Sequence, residues 1–586
     1  MSDAEIQRLQ RAWGASPADQ QLLSRLIAAH RRVGDVPPPA LLDAQLTPAA
    51  MVRSESSLEV YSEAPDGRSE LVGTTPGEVS VSPARFWYVR PRPVRVTDDV
   101  LSELVANQAP GVSLASGKVD PEQLRSLSTL EGLRYLSLES ASAVDDACLE
   151  AVGELRSLEA LNLSGRKKFG RTGLQELAKL PYLVHLNLRH NSQLGDAEFA
   201  GLARLGGLTR LCLEAVETKG AALAHLSGLG ELRFLSLRDC KKISGKGLRQ
   251  LPTLPELQGL DLGGCEGITN PGLIALEGLG SLEVLHLPGV YKRRALEHLR
   301  GLGNLRTLSL GVDKEDAAES LAELRQLQSL DLYGDLGSGW GQLAASLAHL
   351  SVLRAAGIQR EGVATLPSFK SLRDLHLSDS RSPCLDTEVL RPLTQLTSLT
   401  SLSLSLKSVK NPTLELLSGL TSLQALRISA YGRMMTKVEF EPLATLLSLR
   451  SLELRRLSAS GKAIRCLRSL GIEGLQLGYG CVGRGCFAEL AHWSKLRSLS
   501  VCFESSRRDR NATPDDLRKL VQLPDLCELH LTTYGVESED AEAIAQLPGL
   551  RRVSLHCMGG PPFKKAAVRR IQQALPRCVV TTKTGY

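Results

Sequence analysis

The sequence predicts an α/β repeat protein in which short strands and helical turns alternate and stack into a solenoid. The clearest evidence lies in residues 232–287, where one unit is written three times. In each copy the spacing L-x-x-L-x-L predicts a short strand whose alternate residues face one way, and G-L-x-x-L predicts a helical turn with its apolar side on the same core. Neither piece can bury its apolar face alone, whereas stacked copies can. The expected arrangement is a curved, horseshoe-shaped parallel sheet with helices on its convex side.

Each repeat is called a rung. The residues within a rung are numbered from its first leucine, so that the strand leucines occupy positions 1, 4 and 6. Rungs recur about every 24.5 residues, which allows a strand and roughly two helical turns. A degenerate first rung begins at Ala109. The later first positions are expected at Leu133, Leu158, Leu183, Leu208, Leu232, Leu257, Leu282, Leu305, Leu327, Leu353, Leu372, Leu399, Leu423, Leu449, Ile472, Leu496, Leu526 and Leu550.

Two intervals in this series depart from the average. The interval from Leu353 to Leu372 is short, and an irregular rung that kinks the arc is expected there. The interval from Leu496 to Leu526 is long, and residues 504–516 are expected to form an extra loop.

The remaining segments flank the repeats. Residues 1–36 predict a short helical segment, 37–55 a linker that contains three consecutive prolines, and 56–96 a small β segment with alternating apolar residues. Residues 97–108 predict a helix that caps the solenoid, with Thr97 as its N-cap. The repeats fill 109–560 in about 19 rungs. Residues 561–586 predict a C-terminal cap with an amphipathic helix, which a solenoid needs to stay soluble.

Composition argues against several classes of protein. Hydrophobic residues make up 42% of the chain and aromatic residues only 4%, so the core must be mainly leucine. A net charge of +6 is mild for 586 residues and argues against a nucleic-acid binder. We expect no signal peptide and no membrane helix, and therefore a cytoplasmic protein. The 12 cysteines form no C-x-x-C pair and are expected to be reduced core thiols, including Cys240 and Cys265 on adjacent rungs.

The rung pattern resembles leucine-rich-repeat proteins, and the cysteines at position 9, Cys240 and Cys265, resemble the subclass familiar from F-box proteins. This resemblance covers roughly residues 109–580, with Asn191 in the cysteine position of one rung. It implies recognition of a protein partner. Two shorter stretches have resemblances of their own. RAWGASPADQQLLSRLIAAHRRVGD resembles the helical companion segment of some bacterial repeat proteins, and LVGTTPGEVSVSPARFWYVR resembles the PEGA-type β-domain.

No stretch of the sequence predicts catalysis, a cofactor or a metal site. GRKKFGRT at 165–172 mimics the phosphate-loop spacing, but Arg171 stands where that motif needs lysine, and a loop within one rung is the preferred interpretation. Cys481, Cys486 and His492 match no standard zinc spacing. No Ser-His-Asp or paired-carboxylate arrangement stands out.

The side chains between the strand leucines are expected on the concave face. Position 5 is small or polar in almost every rung, and the series places Gly357 there in the rung that starts at Leu353. Aromatic and arginine residues, the usual anchors of protein interfaces, gather in the first half of the array. The candidate partner-binding residues are Tyr135, His185, Arg189, Arg210, Arg233, Phe234 and Arg238. The alternative is a solvated strand face on which these residues cluster by chance.

The leading hypothesis is a non-enzymatic scaffold that binds a protein partner on the concave face. One alternative is the recognition subunit of an enzymatic system, either a ubiquitin-ligase adaptor or a GTPase regulator. A second alternative is a cell-envelope structural or surface component. Nucleic acid is not expected as a partner because acidic residues interleave with the arginines.

Overall fold

A computed structural model describes residues 50–63, 69–82, 86–92, 94–165, 167–313, 317–379, 385–432, 438–479, 481–482, 485–502, 514–533, 538–557, 565–575 and 578–584. Before residue 50 it describes residues 9, 10, 12, 20, 23, 26 and 27, all of them helical. The chain forms two compact units, Met1–Leu308 and Ser309–Tyr586, called unit 1 and unit 2.

Unit 1 begins with a small β structure that continues into the repeat sheet. Its strands are β1 Ala50–Ser54, β2 Leu58–Glu63, β3 Ser69–Thr74, β4 Gly77–Val81 and β5 Phe86–Pro91. β1 pairs with β4, and β2 lies between β3 and β5, all antiparallel. β5 then runs parallel to the first rung strand through Val89 and Val112, so the β segment covers the edge of the repeat sheet. β1 falls inside the range 37–55, so the described end of the expected linker is a paired strand.

The expected capping helix is present as α1 Asp98–Ala106, with Thr97 as its N-cap. Asn107 at the end of α1 pairs with the backbone of Arg53 in β1, with its Oδ1 2.7 Å from the Arg53 nitrogen and its Nδ2 2.6 Å from the Arg53 oxygen. The Glu103 carboxylate accepts hydrogen bonds from the turn between β1 and β2. The helix is therefore tied to the β segment as well as to the first rung.

The rungs of unit 1 have strands of three residues until the last one. They are β6 Gly111–Ser113, β7 Tyr135–Ser137, β8 Ala160–Asn162, β9 His185–Asn187, β10 Arg210–Cys212, β11 Phe234–Ser236, β12 Gly259–Asp261 and β13 Val284–Tyr291. The connecting α-helices are α2 Pro121–Ser126, α3 Asp146–Val152, α4 Arg171–Glu176, α5 Gly245–Leu248 and α6 Arg293–Leu296. The 3₁₀ helices are Leu127–Thr129, Leu177–Lys179, Glu198–Arg204, Ala221–Gly228, Asn270–Leu276 and Glu297–Leu299. Strands β6 to β13 pair in parallel and in register.

A tight turn ends these short strands at position 8, where the backbone adopts positive φ. The residues concerned are Ser116, Ser140, Gly165, His190, Ala215, Asp239 and Gly264. Because positive φ takes the chain out of the extended conformation, the chain leaves the sheet at the same point in each of these rungs.

Strand β14, Thr307–Val312, spans the boundary between the units, and the strands of unit 2 are mostly longer. They are β15 Ser329–Tyr333, β16 Val352–Ala356, β17 Asp374–Ser378, β18 Ser401–Leu406, β19 Ala425–Ala430, β20 Ser451–Arg455, β21 Gly474–Leu477, β22 Ser498–Cys502, β23 Glu528–Thr533, β24 Arg552–Cys557 and β25 Val579–Thr584. Its α-helices are α7 Ala317–Leu321, α8 Gly339–Ser346, α9 Arg360–Thr365, α10 Thr387–Leu390, α11 Asn411–Leu417, α12 Gly461–Ile464, α13 Cys486–Leu490, α14 Pro514–Lys519, α15 Ser538–Ala545 and α16 Lys565–Ala574. The 3₁₀ helices are Leu366–Ser368, Arg391–Gln395, Glu441–Thr445, Arg465–Ser469 and Leu520–Gln522.

The end of unit 2 has the two elements expected of a cap. β25 pairs in parallel with β24, and α16 buries Ala567 and Ile571. Most of the expected extra loop at 504–516 lies outside the described residues.

One expected rung boundary was wrong. Leu353 pairs with Leu330 and Leu375, so it occupies position 4, and the rung begins at Leu350. The intervals on either side are then ordinary, and the expected short, irregular rung does not exist. The same shift puts Arg354 rather than Gly357 at position 5.

A repeated backbone hydrogen bond sets the register of the rungs. The N–H groups at positions 2 and 3 both donate to the carbonyl at position 2 of the preceding rung. Arg233 N and Phe234 N, for example, lie 2.8 and 2.9 Å from Thr209 O. Equivalent pairs recur from β7 to β14 and from β16 to β24.

A side-chain ladder at position 9 adds a second link between rungs. Cys240 Sγ donates to Leu213 O at 3.1 Å, and Cys265 Sγ donates to Leu237 O at 2.9 Å. Asn191 takes the same role, with its Nδ2 2.9 Å from Leu163 O. In each case the acceptor is the carbonyl at position 6 of the preceding rung. Burial raises the pKa of the Cys240 and Cys265 thiols to about 12, so these thiols are chemically quiet.

Lys167, within the phosphate-loop mimic, extends this ladder with a charged group. Its side chain is buried, and its Nζ donates to Leu138 O at 2.5 Å and to Ala141 O at 2.8 Å. Leu138 is again at position 6 of the preceding rung. Burial lowers the pKa of the ammonium group to about 8, although Glu139 opposes the shift. The lysine of this loop is thus part of the core and does not face a phosphate site.

The first prediction concerns the rung leucines. Leu260 is 1% exposed, so Leu260→Ala should lower the free energy of unfolding by roughly 2–5 kcal/mol, because a cavity opens between neighbouring rungs. Chemical denaturation of the two variants would measure the difference. Leu447, which is 70% exposed, supplies the control, and Leu447→Ala should change the free energy by less than about 0.5 kcal/mol. Equal effects at both sites would contradict the register.

The second prediction uses the lowered pKa of Lys167. Between a folded pKa of about 8 and an unfolded value of 10.5, the unfolded chain binds more protons, so stability contributed by this group rises with pH. From pH 7 to pH 9 the gain should be about 1 kcal/mol. Lys167→Met should remove this rise, as measured by denaturation of the wild type and the variant at both pH values.

The exposed neighbour Lys168 provides the matched control. Lys168→Met should leave the pH dependence of the wild type unchanged. If Lys167→Met also leaves it unchanged, the ammonium group is not held in the buried position described here.

Candidate functional site

The candidate site lies on the side of the unit 1 sheet that carries positions 3, 5 and 7, called the open face. Leucines at positions 4 and 6 are buried in the core, and the residues between them point the other way. Position 3 runs along the rungs as Gly111, Tyr135, Ala160, His185, Arg210, Phe234, Gly259 and Val284. Position 5 runs as Ser113, Ser137, Asn162, Asn187, Cys212, Ser236, Asp261 and His286.

Arg210 and Phe234 form the centre of the open face. They are in register on adjacent strands, and the Arg210 guanidinium lies 5.8 Å from the centroid of the Phe234 ring. The ring in turn lies over Gly259 on the next strand, since a Cβ atom built there would be 2.6 Å from Phe234 Cδ2. The absence of a side chain at Gly259 therefore lets the Phe234 ring occupy this space, where a cation–π contact with Arg210 stabilises it.

Ion pairs on adjacent rungs flank this centre on one side. Arg189 Nε lies 2.8 Å from Glu214 Oε2, and Arg238 Nη1 lies 3.5 Å from Asp261 Oδ2. His286 Nδ1 is also 3.5 Å from Asp261 Oδ2. Burial of the Asp261 carboxyl opposes ionisation, but the hydrogen bond from His286 and the charge of Arg238 lower its pKa overall. The two arginines at position 7 are thus held by acids of the next rung.

Tyr135 is on the open face but is buried, with 6% of its surface exposed. Its ring stacks on Tyr88 of β5 at 4.8 Å, and Tyr88 stacks on Tyr61 of β2 at 5.1 Å. The intervening strand makes this possible because it carries Gly111, where a Cβ atom would be 2.7 Å from Tyr88 Cβ. The ring of Tyr135 therefore helps to attach the β segment to the repeats.

The structure separates two other predicted residues from the centre. Arg233 is at position 2, in a column that includes the buried Glu159 and Thr209, and so it does not belong to the open face. His185 pairs with Arg210 in register but is buried. Arg189, Arg210, Phe234 and Arg238 are the predicted residues that offer exposed or half-exposed surface on the open face, whereas Arg233 is half-exposed outside it.

Sequence reasoning placed acids among the arginines but did not pair each acid with its arginine, and it missed the glycines that position these side chains. Glu214 holds Arg189 and accepts a hydrogen bond from Ser236 Oγ at 3.2 Å, and Asp261 holds Arg238. A usable signal was present, because Gly259 stands at position 3 one rung after Phe234, and Gly263 at position 7 one rung after Arg238.

The described part of the chain contains neither a metal-binding cluster nor a membrane-spanning helix. No cluster of three or more His, Cys, Asp or Glu residues there could hold a metal ion. Among the helices of the described residues, none combines the length and apolar character needed to cross a membrane.

Comparisons with solved structures find several similar chains. Similar solved structures include an internalin from Listeria monocytogenes (20% identity, 65% of this chain and 94% of that chain covered, TM-score 0.36). A leucine-rich-repeat protein from Leptospira interrogans is 19% identical, with 79% and 98% coverage and a TM-score of 0.36. The receptor in the TLR13–ssRNA13 complex is 17% identical, with 85% and 84% coverage and a TM-score of 0.48.

A search of curated proteins gives no match. The model of the leucine-rich repeat region family matches residues 269–582, which is more than half of the chain. Together with the rungs described above, this match shows that the chain belongs to the leucine-rich-repeat family.

Proposed function

We propose that the chain is a non-enzymatic scaffold that binds a protein partner on the open face of unit 1. The leucine-rich-repeat fold is typical of protein–protein interaction, and proteins of this family are generally binding scaffolds. The partner sits on side chains of β9 to β13, whose strands pair in register. Binding takes place by shape and hydrogen-bond complementarity, without a chemical step.

The stack of Arg210 on Phe234 above Gly259 is the observation that carries this proposal. Arginine and aromatic side chains are enriched among the residues that dominate binding energy at protein interfaces. Here both are half-exposed and lie in contact with each other, so a partner can cover the ring and the guanidinium together. Desolvation by the partner would strengthen the cation–π contact.

The surroundings of the stack support a pre-formed surface. The open face is built on strands joined by the position 2 hydrogen bonds, and Arg189 and Arg238 are held by ion pairs. Side chains already ordered in the free protein lose less entropy on association. The arginines at position 7 are balanced by Glu214 and Asp261, so the surface suits a partner of mixed polarity.

The third prediction tests this surface in a native lysate with the full chain as bait. Phe234→Ala and Arg210→Glu should each reduce retention of a specific protein partner by roughly tenfold or more, because they remove the two central contacts. Retained proteins are identified and quantified by mass spectrometry. Thermal melts of each variant show that it is folded.

Arg249→Glu is the matched control for charge reversal. Arg249 is an exposed arginine on the helix side of unit 1, where it donates to Pro271 O at 3.2 Å. This variant should retain the partner as the wild type does. A partner held equally by the wild type and by both open-face variants would place binding elsewhere and refute the proposal.

A further inference from the structure

Unit 2 carries a separate cluster of charges on its own sheet, centred on Glu453 at position 5 of β20. Glu453 Oε1 lies 2.6 Å from Arg455 Nε, and Glu453 Oε2 pairs with Arg427 Nε. Only 7% of the Glu453 side chain is exposed, compared with 55% of Arg427 and 51% of Arg455. One buried carboxylate therefore positions two exposed guanidinium groups.

Both arginines use Nε for this contact. Within the described residues, the terminal NH₂ groups of Arg427 and Arg455 make no hydrogen bond or ion pair. Each guanidinium thus keeps unused donors in a fixed orientation, the arrangement that binds a carboxylate with two parallel hydrogen bonds. Two cations on one anion also leave an excess of positive charge.

The strands on either side of this cluster carry small residues next to the two arginines. Arg455 lies over Gly478, since a Cβ atom there would be 2.6 Å from Arg455 Cγ. On the other side, Ser403 stands in register with Arg427, and its buried Oγ has no hydrogen-bond partner among the described residues.

Two more cations lie at the carboxyl-terminal end of the same strands. Arg456 Nη1 donates to Gly432 O at 3.0 Å, and its guanidinium lies 5.7 Å from the centroid of the half-exposed Tyr479 ring. The side-chain stem of the exposed Lys407 passes the same glycine, since a Cβ atom there would be 3.7 Å from Lys407 Cγ. Glu453 is the single acid on strands β18 to β21.

We propose that Arg427 and Arg455, clamped by Glu453, form a second binding site that takes the carboxylates of an Asp/Glu-rich segment of a protein partner. The guanidinium NH₂ groups bind one carboxylate, and Lys407 and Arg456 attract the next acids of the segment. This site is in unit 2, and it stands independently of the open face of unit 1.

The length of the positive stretch favours an acidic peptide over nucleic acid. Strands lie about 4.8 Å apart, so β18 to β21 span about 15 Å. Acids border the stretch on both sides, with Asp374 on β17 and Glu528 on β23. A nucleic-acid strand would need positive charge over a longer track, whereas a few carboxylates of one segment fit within this span.

The fourth prediction tests the site with a fluorescein-labelled decaglutamate peptide and the full chain, by fluorescence anisotropy. The wild type should bind this peptide and should not bind decaglutamine, and the affinity should fall as salt is added. Arg427→Ala/Arg455→Ala should weaken binding roughly tenfold or more, because hydrogen bonds between charged groups are lost.

Arg391→Ala/Arg518→Ala is the matched control. It removes the exposed Arg391 and the half-exposed Arg518 from helical segments of unit 2, where each pairs with an acid three residues away. This double variant should bind decaglutamate like the wild type. Melting curves of both double variants show whether they are folded. Equal loss in the two double variants would refute a specific site.

Glu453→Gln separates positioning from net charge. This substitution removes one negative charge, and it also removes the carboxylate that positions both arginines. The affinity for decaglutamate should fall by about fivefold, because the two arginine side chains must then become ordered on binding. Tighter binding by Glu453→Gln would overturn the clamp. Stronger binding of an oligothymidylate of similar length, with the same dependence on Arg427 and Arg455, would overturn the acidic-peptide assignment.

Discussion

No single rung can form all of its backbone hydrogen bonds or bury its own leucines, and the whole structure depends on this constraint. The carbonyl at position 2 accepts two N–H donors from the following rung, and leucines at positions 1, 4 and 6 fill the space between the sheet and the helices. The same constraint makes the ends of an array the weak points. Strand β5 covers one edge of the sheet, and β25 covers the other edge together with α16.

Side chains of three chemical types form the same hydrogen bond from one rung to the preceding one. At or beside position 9, a thiol, an amide and an ammonium group donate to the position 6 carbonyl of the preceding rung in Cys240, Asn191 and Lys167. The thiol is small and loses little on burial, whereas the ammonium must be desolvated, and its lowered pKa reflects that cost. A donor of suitable length is what the position requires, which explains why several residue types occur there.

Glycines on the side of the sheet that faces away from the core also link neighbouring rungs, because they make space for a large side chain of a neighbouring strand. Gly111, Gly259 and Gly478 each lie beneath a large side chain from a neighbouring rung. The tyrosines over Gly111 are buried and join the β segment to the repeats, whereas Phe234 over Gly259 and Arg455 over Gly478 keep surface exposed. The two proposed surfaces differ in charge. Around Phe234 the position 7 arginines are balanced by acids, and around Glu453 positive charge is in excess.

The sequence by itself determined the rung type, the parallel sheet, the capping helix after Thr97 and nearly all rung boundaries, because these follow from leucine spacing and from local capping. It misplaced one boundary, since Leu350 and Leu353 both fit position 1 and Ala355 stands at position 6 in place of leucine. Only the tertiary structure decided which predicted site residues share a face. The burial of Tyr135 and the placement of Phe234 over Gly259 depend on residues one or two strands away. Arg233, next to Phe234 in sequence, lies at position 2 and so outside the open face. Such contacts join residues about 25 positions apart, and no local pattern records them.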